Sequence, residues 1–247
     1  MPTKNWFKKD ALPFKILTQP TSKNVVKWFD EETEVLDNEE LILLLRVRGG
    51  INTATVGCVL LGIFMTIVMV IALLFYGWEK FGGKGFFYTL SAPFIAAIVS
   101  YLYGFILPTK KIELKRYTGK MTYPSYGFYP HMTLTFTQAT VYKSLISGPD
   151  ATIGGYKLAA RNPYNTGVGK GNYDLAPADP EEWWSYFVWY MDKNRPLPPG
   201  KAFDPYREKD FERRKAEGFP KPLYKSNILT PEATKEQQKE REKIGGW

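Results

Sequence analysis

Ala54-Thr-Val-Gly-Cys-Val-Leu-Leu-Gly-Ile-Phe-Met-Thr-Ile-Val-Met-Val-Ile-Ala-Leu-Leu-Phe-Tyr76 contains no charged residue. A second run, Phe86-Phe-Tyr-Thr-Leu-Ser-Ala-Pro-Phe-Ile-Ala-Ala-Ile-Val-Ser-Tyr-Leu-Tyr-Gly-Phe-Ile-Leu107, is charge-free as well. Each has the roughly 20 apolar residues needed to cross about 30 Å of hydrocarbon. The pair therefore predicts a membrane α-helical hairpin. Tyr76 and Trp78 close the first run and Phe86, Phe87 and Tyr88 open the second, as an interfacial aromatic belt requires. The short connection between them makes the helices antiparallel neighbours.

Basic residues set the expected orientation. Lys80 and Lys84 lie in the hairpin loop, against Arg46, Arg48, Lys110, Lys111, Lys115, Arg116 and Lys120 on the other side. The positive-inside rule then puts both termini in the cytoplasm of a bacterial inner membrane, or on the matrix side of a mitochondrial one. Lys110, Lys111, Lys115 and Arg116 become candidate lipid-headgroup contacts, in line with a net charge of +8. Ala92, Ala96, Ser100 and Gly104 recur every four residues and form a candidate helix-packing stripe, which serves the neighbouring span or a homo-oligomer. Neither run holds an ionisable residue, which argues against transport. Lys8-Lys9-Asp10 leads into mixed sequence, so no cleavable signal peptide is expected.

The rest of the chain divides into a cytoplasmic N-terminal arm (1–50), an α+β soluble domain (110–193) and a Pro-rich tail with short helices (194–247), around the hairpin at 51–109. In the arm, Asn38-Glu-Glu-Leu-Ile-Leu-Leu-Leu-Arg46 reads as a short helix capped by Asp37 or Asn38, or equally as a buried strand. From Lys110 to Tyr117 apolar and charged residues alternate, the period of a half-buried strand. Thr118-Gly119 turns the chain and Lys120-Met-Thr-Tyr123 returns. Met132 to Phe136 alternates again, with Thr140–Ser144 as its expected partner, and Gly155–Ala160 supplies another strand.

Asp179-Pro180-Glu181-Glu182 then opens an aromatic helix through Met191, with Asp as N-cap and Pro at the first position. Trp184, Phe187, Val188 and Met191 share one face. Trp183, Tyr186, Trp189 and Tyr190 occupy others and are the candidate partner interface, against the plainer reading that all are core. In the tail, Asp204-Pro205 to Gly218 and Thr230-Pro231 to Gly245 mark two short helices, which wrap the domain or a partner.

Chemistry-bearing clusters do not emerge. His131 is the sole histidine and Cys58 the sole cysteine, inside the first apolar run, so no usual zinc site is expected. Gly167-Val-Gly-Lys-Gly171 lacks both the first glycine and the hydroxyl of a P-loop. Glu181 and Glu182 suit the helix dipole. No enzyme, cofactor or metal is expected, and the tail mixes charge signs too evenly for nucleic acid.

A two-run hairpin followed by Lys111-Ile-Glu-Leu-Lys-Arg-Tyr-Thr-Gly-Lys-Met-Thr-Tyr123 and later by Asp179-Pro180 through Tyr190-Met191-Asp192 resembles an uncharacterised family of bacterial inner-membrane proteins. The resemblance spans about residues 51–199. Leu114-Lys115-Arg116 departs from the family's Phe-Asn-Arg, and the segment between hairpin and helix is short of strands. That family is often encoded beside type VI secretion effectors, and its soluble part is pleckstrin-homology-like, a small bent sheet with one closing helix. The resemblance implies a membrane-anchored, non-catalytic immunity or accessory protein (an antitoxin in function) for a secreted antibacterial effector. It carries no functional residues across. The alternative is a structural subunit of a large membrane complex.

Overall fold

The computed structural model describes residues 11–21, 23–38, 40–46, 51–76, 84–106, 111–123, 131–145, 155–161, 172–176 and 179–247. Two compact units emerge. One joins residues 1–47 to 111–247, and the other is 48–110.

The second unit is a helical pair, α2 (Ile51–Tyr76) and α3 (Lys84–Ile106). Cys58, Gly62, Met65, Thr66, Met69 and Ala72 are the less exposed residues of α2, and their spacing is that of one helical face. The phenyl ring of Phe94 lies 3.2 Å from where a Cβ on Gly62 would sit, so glycine lets the two helices close. Among the described side chains of α3, Ala97 is the buried one. At its described positions the predicted packing stripe does not pack on the neighbouring helix. Ala92 and Ala96 are exposed, and the side chains of Ser100 and Gly104 lie outside the described residues. Four-residue spacing drifts around a helix of 3.6 residues per turn, and the pair closes instead around Phe94 and Ala97.

The expectation of two membrane spans is also corrected. Among the described residues, no helix is long and apolar enough to cross a membrane. The same finding removes the inner-membrane localisation, the transmembrane class and the orientation inferred from flanking lysines and arginines. Among described residues the fold class is α+β, with two antiparallel sheets and six α-helices.

The N-terminal arm is no separate appendage. After α1 (Lys23–Glu32), strands β1 (Thr33–Asn38) and β2 (Glu40–Arg46) form a hairpin that continues into β3 (Lys111–Lys115), β4 (Lys120–Tyr123) and β5 (Met132–Thr135), giving a five-stranded meander. The leucine run is thus a strand. Leu43 stands opposite Leu114, and both are essentially fully buried, a gain that a helix capped at residue 37 or 38 has nothing to match. Gly119, at φ 65°, makes the β3–β4 turn, a conformation disfavoured for residues with a Cβ.

A second sheet has the order β6 (Thr140–Leu145), β7 (Tyr156–Arg161), β8 (Asn172–Ala176). Here β6 pairs with β7 rather than with β5 as expected, because the 3-10 turn at Phe136–Gln138 intervenes and buries Phe136. The predicted Gly167–Gly171 loop lies outside the described residues.

Helix α4 (Pro180–Met191) follows as expected, and every residue from Trp183 onward is buried. Asp179 does not cap it through its side chain. At φ 45°, it offers its carbonyl to the N–H groups of Glu182 and Trp183 at 3.0 and 3.1 Å.

The tail folds onto its own unit. A 3-10 segment (Lys201–Tyr206) leads into α5 (Arg207–Ala216), and α6 runs Lys235–Gly245. The start of α6 is set by Thr234, whose Oγ1 accepts from Gln237 N at 3.2 Å, not by Thr230. Thr230 is buried and accepts from Arg195 Nη1. At the end of α6, a Cβ on Gly245 would lie 2.7 Å from Phe219 Cβ and 2.8 Å from the Phe219 carbonyl oxygen. Gly245→Ala should therefore destabilise the fold by about 1–3 kcal/mol, read as a lower urea midpoint. An unchanged midpoint would show that α6 shifts freely.

Candidate functional site

The aromatic residues expected at a partner interface are core. Trp183, Tyr186, Trp189 and Tyr190 are at most 3% exposed. Their polar ends are used internally. Tyr186 Oη donates to Pro199 O at 2.6 Å, Trp189 Nε1 to Pro196 O at 2.8 Å and Tyr190 Oη to Leu41 O at 2.7 Å. Burial pushes both tyrosine hydroxyls well above their usual range, so they remain neutral donors. The interface assignment is corrected: the Pro-rich segment and β2 already cover these rings.

The basic cluster separates in the same way. Lys110 lies outside the described residues. Lys111 pairs with Glu34 at 2.6 Å and Lys115 stands 3.9 Å from Glu113. Arg116 is fully buried and cannot reach a lipid headgroup. Its guanidinium donates to the carbonyls of Trp189, Tyr190 and Arg195. A cation thus meets the carbonyl-rich end of α4, where the helix dipole favours it. Its Nε stands 3.4 Å from Asp210.

Asp210 is the hub of a buried ionic cluster. Arg214 Nε donates to its Oδ2 at 2.9 Å and Arg213 to its Oδ1 at 3.1 Å. Arg214 then forks onto both oxygens of Glu232 at 2.7 and 2.8 Å, and Arg241 reaches the same carboxylate at 3.1 Å. This joins β3, α4, α5 and the tail, so its work is structural.

An open groove of about 1090 Å³ lies among the described residues and is not spent on the core. One wall is a strap, residues 11–19. The strap's Leu12 N donates to Val141 O at 3.0 Å, and Ala11 bridges Tyr142 of β6 in antiparallel sense. Further along, Trp184 Nε1 donates to Pro13 O at 2.9 Å, while Leu17 N and Thr18 N both donate to Ser185 Oγ. The other walls are Lys143 of β6, Tyr156 of β7 and the first turn of α4, with Asp179, Glu181 and Glu182. Lys143 Nζ reaches Glu181 at 2.5 Å. The described lining thus carries three carboxylates against one lysine, on a chain whose net charge is +8.

Sequence reasoning noted Glu181 and Glu182 only as dipole partners and missed the strap. Its signal was present in Leu12, Phe14, Ile16 and Leu17, an apolar sequence ending at Pro20. His131 is exposed, and no group of three His, Cys, Asp or Glu able to hold a metal occurs among the described residues. No protein-family model, no curated protein and no solved structure matches the chain.

Proposed function

We propose that this is a non-catalytic binding protein whose partner occupies the acidic groove, and that the partner is a secreted type VI antibacterial effector for which it serves as immunity or accessory protein. The observation carrying the reading is the groove itself: an open, locally acidic concavity on a basic chain, walled by a sheet edge and a rigid helix end. Rigid walls lower the ordering cost of binding, and opposite charge speeds encounter and selects the partner. The resemblance noted in the sequence supplies the effector as the partner class, and a sheet pair closed by one helix is in keeping with the module it implies. The alternative of a structural subunit rested on an aromatic helix and a wrapping tail, and both are occupied within the fold.

The test is genetic. Deleting the gene should sensitise its strain to its own siblings, and the wild-type gene should restore protection while E181K/E182K should not. Unchanged sibling competition, with the neighbouring effector expressed and delivered, overturns the proposal.

A further inference from the structure

The helical unit carries more apolar surface than its two helices use on each other. We infer that α2 and α3 pack against the same two helices of a second copy of this chain, side by side, as a four-helix bundle. The inference is independent of the groove and of its partner.

α2 bears two seams of heptad spacing, with alternating steps of four and three. Cys58, Gly62, Met65, Met69 and Ala72 form the first, the less exposed one, which closes on α3 through Gly62 and Phe94. Gly57, Leu61, Phe64, Val68, Ile71 and Phe75 form the second, and all six are exposed. The two differ by one residue, so they stand about 100° apart around the helix. That is the requirement for a helix in a four-helix bundle, which packs on two neighbours at once. On α3, Ala96 precedes the buried Ala97, and Ala92 and Val99 continue its row in steps of four and three. All three are exposed. The helices run antiparallel, as their short connection requires, so one step back turns to the same side of the pair on both. That side shows a large row on α2 beside a small row on α3. A two-fold axis along the helices sets the large row of each copy on the small row of the other, the alternation that lets facing layers interdigitate.

The cover for this seam must be long and uncharged. Outside the two apolar runs, the charge-free stretch of comparable length is Met121 to Tyr142, which Pro124, Gly127 and Pro130 interrupt and which gives strands to both sheets. The sequence thus offers no third apolar helix of that length, whereas another copy offers two. The area is also sufficient. The large seam residues are 43% to 81% exposed, and Phe64 and Phe75 alone present on the order of 200–350 Å², at about 150–250 Å² per aromatic side chain. The rest of the seam, with Leu60 and Leu74 at its margin, brings the surface within range of the roughly 800 Å² per partner that a stable interface takes. Each copy carries a net charge of +8, and long-range repulsion opposes pairing. Neither run brings a charge to the interface itself, so added salt should leave the association intact or tighten it.

Sedimentation velocity on the full-length protein without detergent should give a particle of twice the 28.3 kDa chain mass. Phe64→Glu puts a carboxylate in the seam, and the two-fold presents it twice, so the dissociation constant should rise roughly a thousandfold. Ala96→Phe fills the small row and should weaken pairing as well. Ile63→Glu, at an exposed apolar site about 100° away on the same helix, should leave the dimer intact. The three sites are exposed, so each variant should keep the wild-type far-UV circular dichroism. A wild-type monomer, a particle of indefinite mass, or equal disruption by Ile63→Glu would overturn the inference. So would a dimer that Phe64→Glu leaves unchanged, or one that dissociates as salt rises. A monomer that sediments with phosphatidylcholine vesicles would assign the surface to lipid and overturn the second copy.

Discussion

Asp210→Asn should cost the fold about 3–5 kcal/mol, because it leaves buried arginines without their counter-charge. Arg116 and Arg214 are both at most 1% exposed, and each directs its Nε to this carboxylate. Asparagine keeps the size and one acceptor but removes the charge. The loss should appear as a lower urea midpoint with an unchanged slope. A drop below about 1 kcal/mol would mean that Glu232 alone compensates the cluster. Acid titration gives a second readout. Burial pushes the Asp210 carboxyl up, yet Arg116, Arg214 and Arg213 together pull it below its usual value. A carboxyl lowered in the folded state adds stability above its unfolded value and loses it as pH falls through the folded one. Wild-type stability should therefore decline below about pH 4, and the Asp210→Asn variant should lack that component of the decline.

The second large effect is expected at Trp184. Its ring is 1% exposed, with ring centroids of Phe136 and Phe14 at 5.3 and 5.6 Å. Trp184→Ala should cost about 3–5 kcal/mol as a buried aromatic truncation. It also removes the Nε1 donor to Pro13 O, so the strap should loosen first. Hydrogen exchange at Leu12, Leu17 and Thr18 should accelerate beyond what the global loss explains. Trp184→Phe separates the two effects: it should keep most of the stability yet speed strap exchange. Wild-type strap protection in Trp184→Phe would show that Phe14 and Ser185 hold the strap unaided.

What could be read from sequence was what local patterns encode. The Lys111–Tyr123 hairpin announced itself by alternation and a Thr-Gly turn, and α4 by Asp-Pro-Glu-Glu. The same alternation held more than was taken from it. Ile112, Leu114 and Arg116 share one parity, so a period of two already turns Arg116 inward with the buried pair. Its charge favoured a headgroup reading instead, because nothing local reveals Asp210, which lies 94 positions away. The pairing of the strap with β6 was illegible for a similar reason: it joins residues 11 and 142. The aromatic helix misled in the opposite direction. Apolar residues all round a helix signal a surplus to be covered, and the cover came from the Pro-rich segment and β2 of the same chain.

The pairing of β2 with β3 bears on how the gene could have been assembled. Arg46 and Lys111 are register partners, the positions that a tight hairpin turn would join. Residues 47–110 therefore stand where a turn would be, and the helical pair is an insertion within one β-hairpin. Loop-closure entropy makes such an insertion inexpensive. Each doubling of loop length costs only about 0.6 kcal/mol, so a loop roughly sixteen times longer than a four-residue turn costs about 2.4 kcal/mol. Helices that fold back on themselves bring their ends closer than a random coil would and reduce that figure further. The sheet unit and the helical unit are thus separable by excision at a single point rather than by truncation. A cut anywhere after residue 47 would strip β1 and β2 from the meander, whereas joining Arg46 to Lys111 through a short turn would leave every strand its partner.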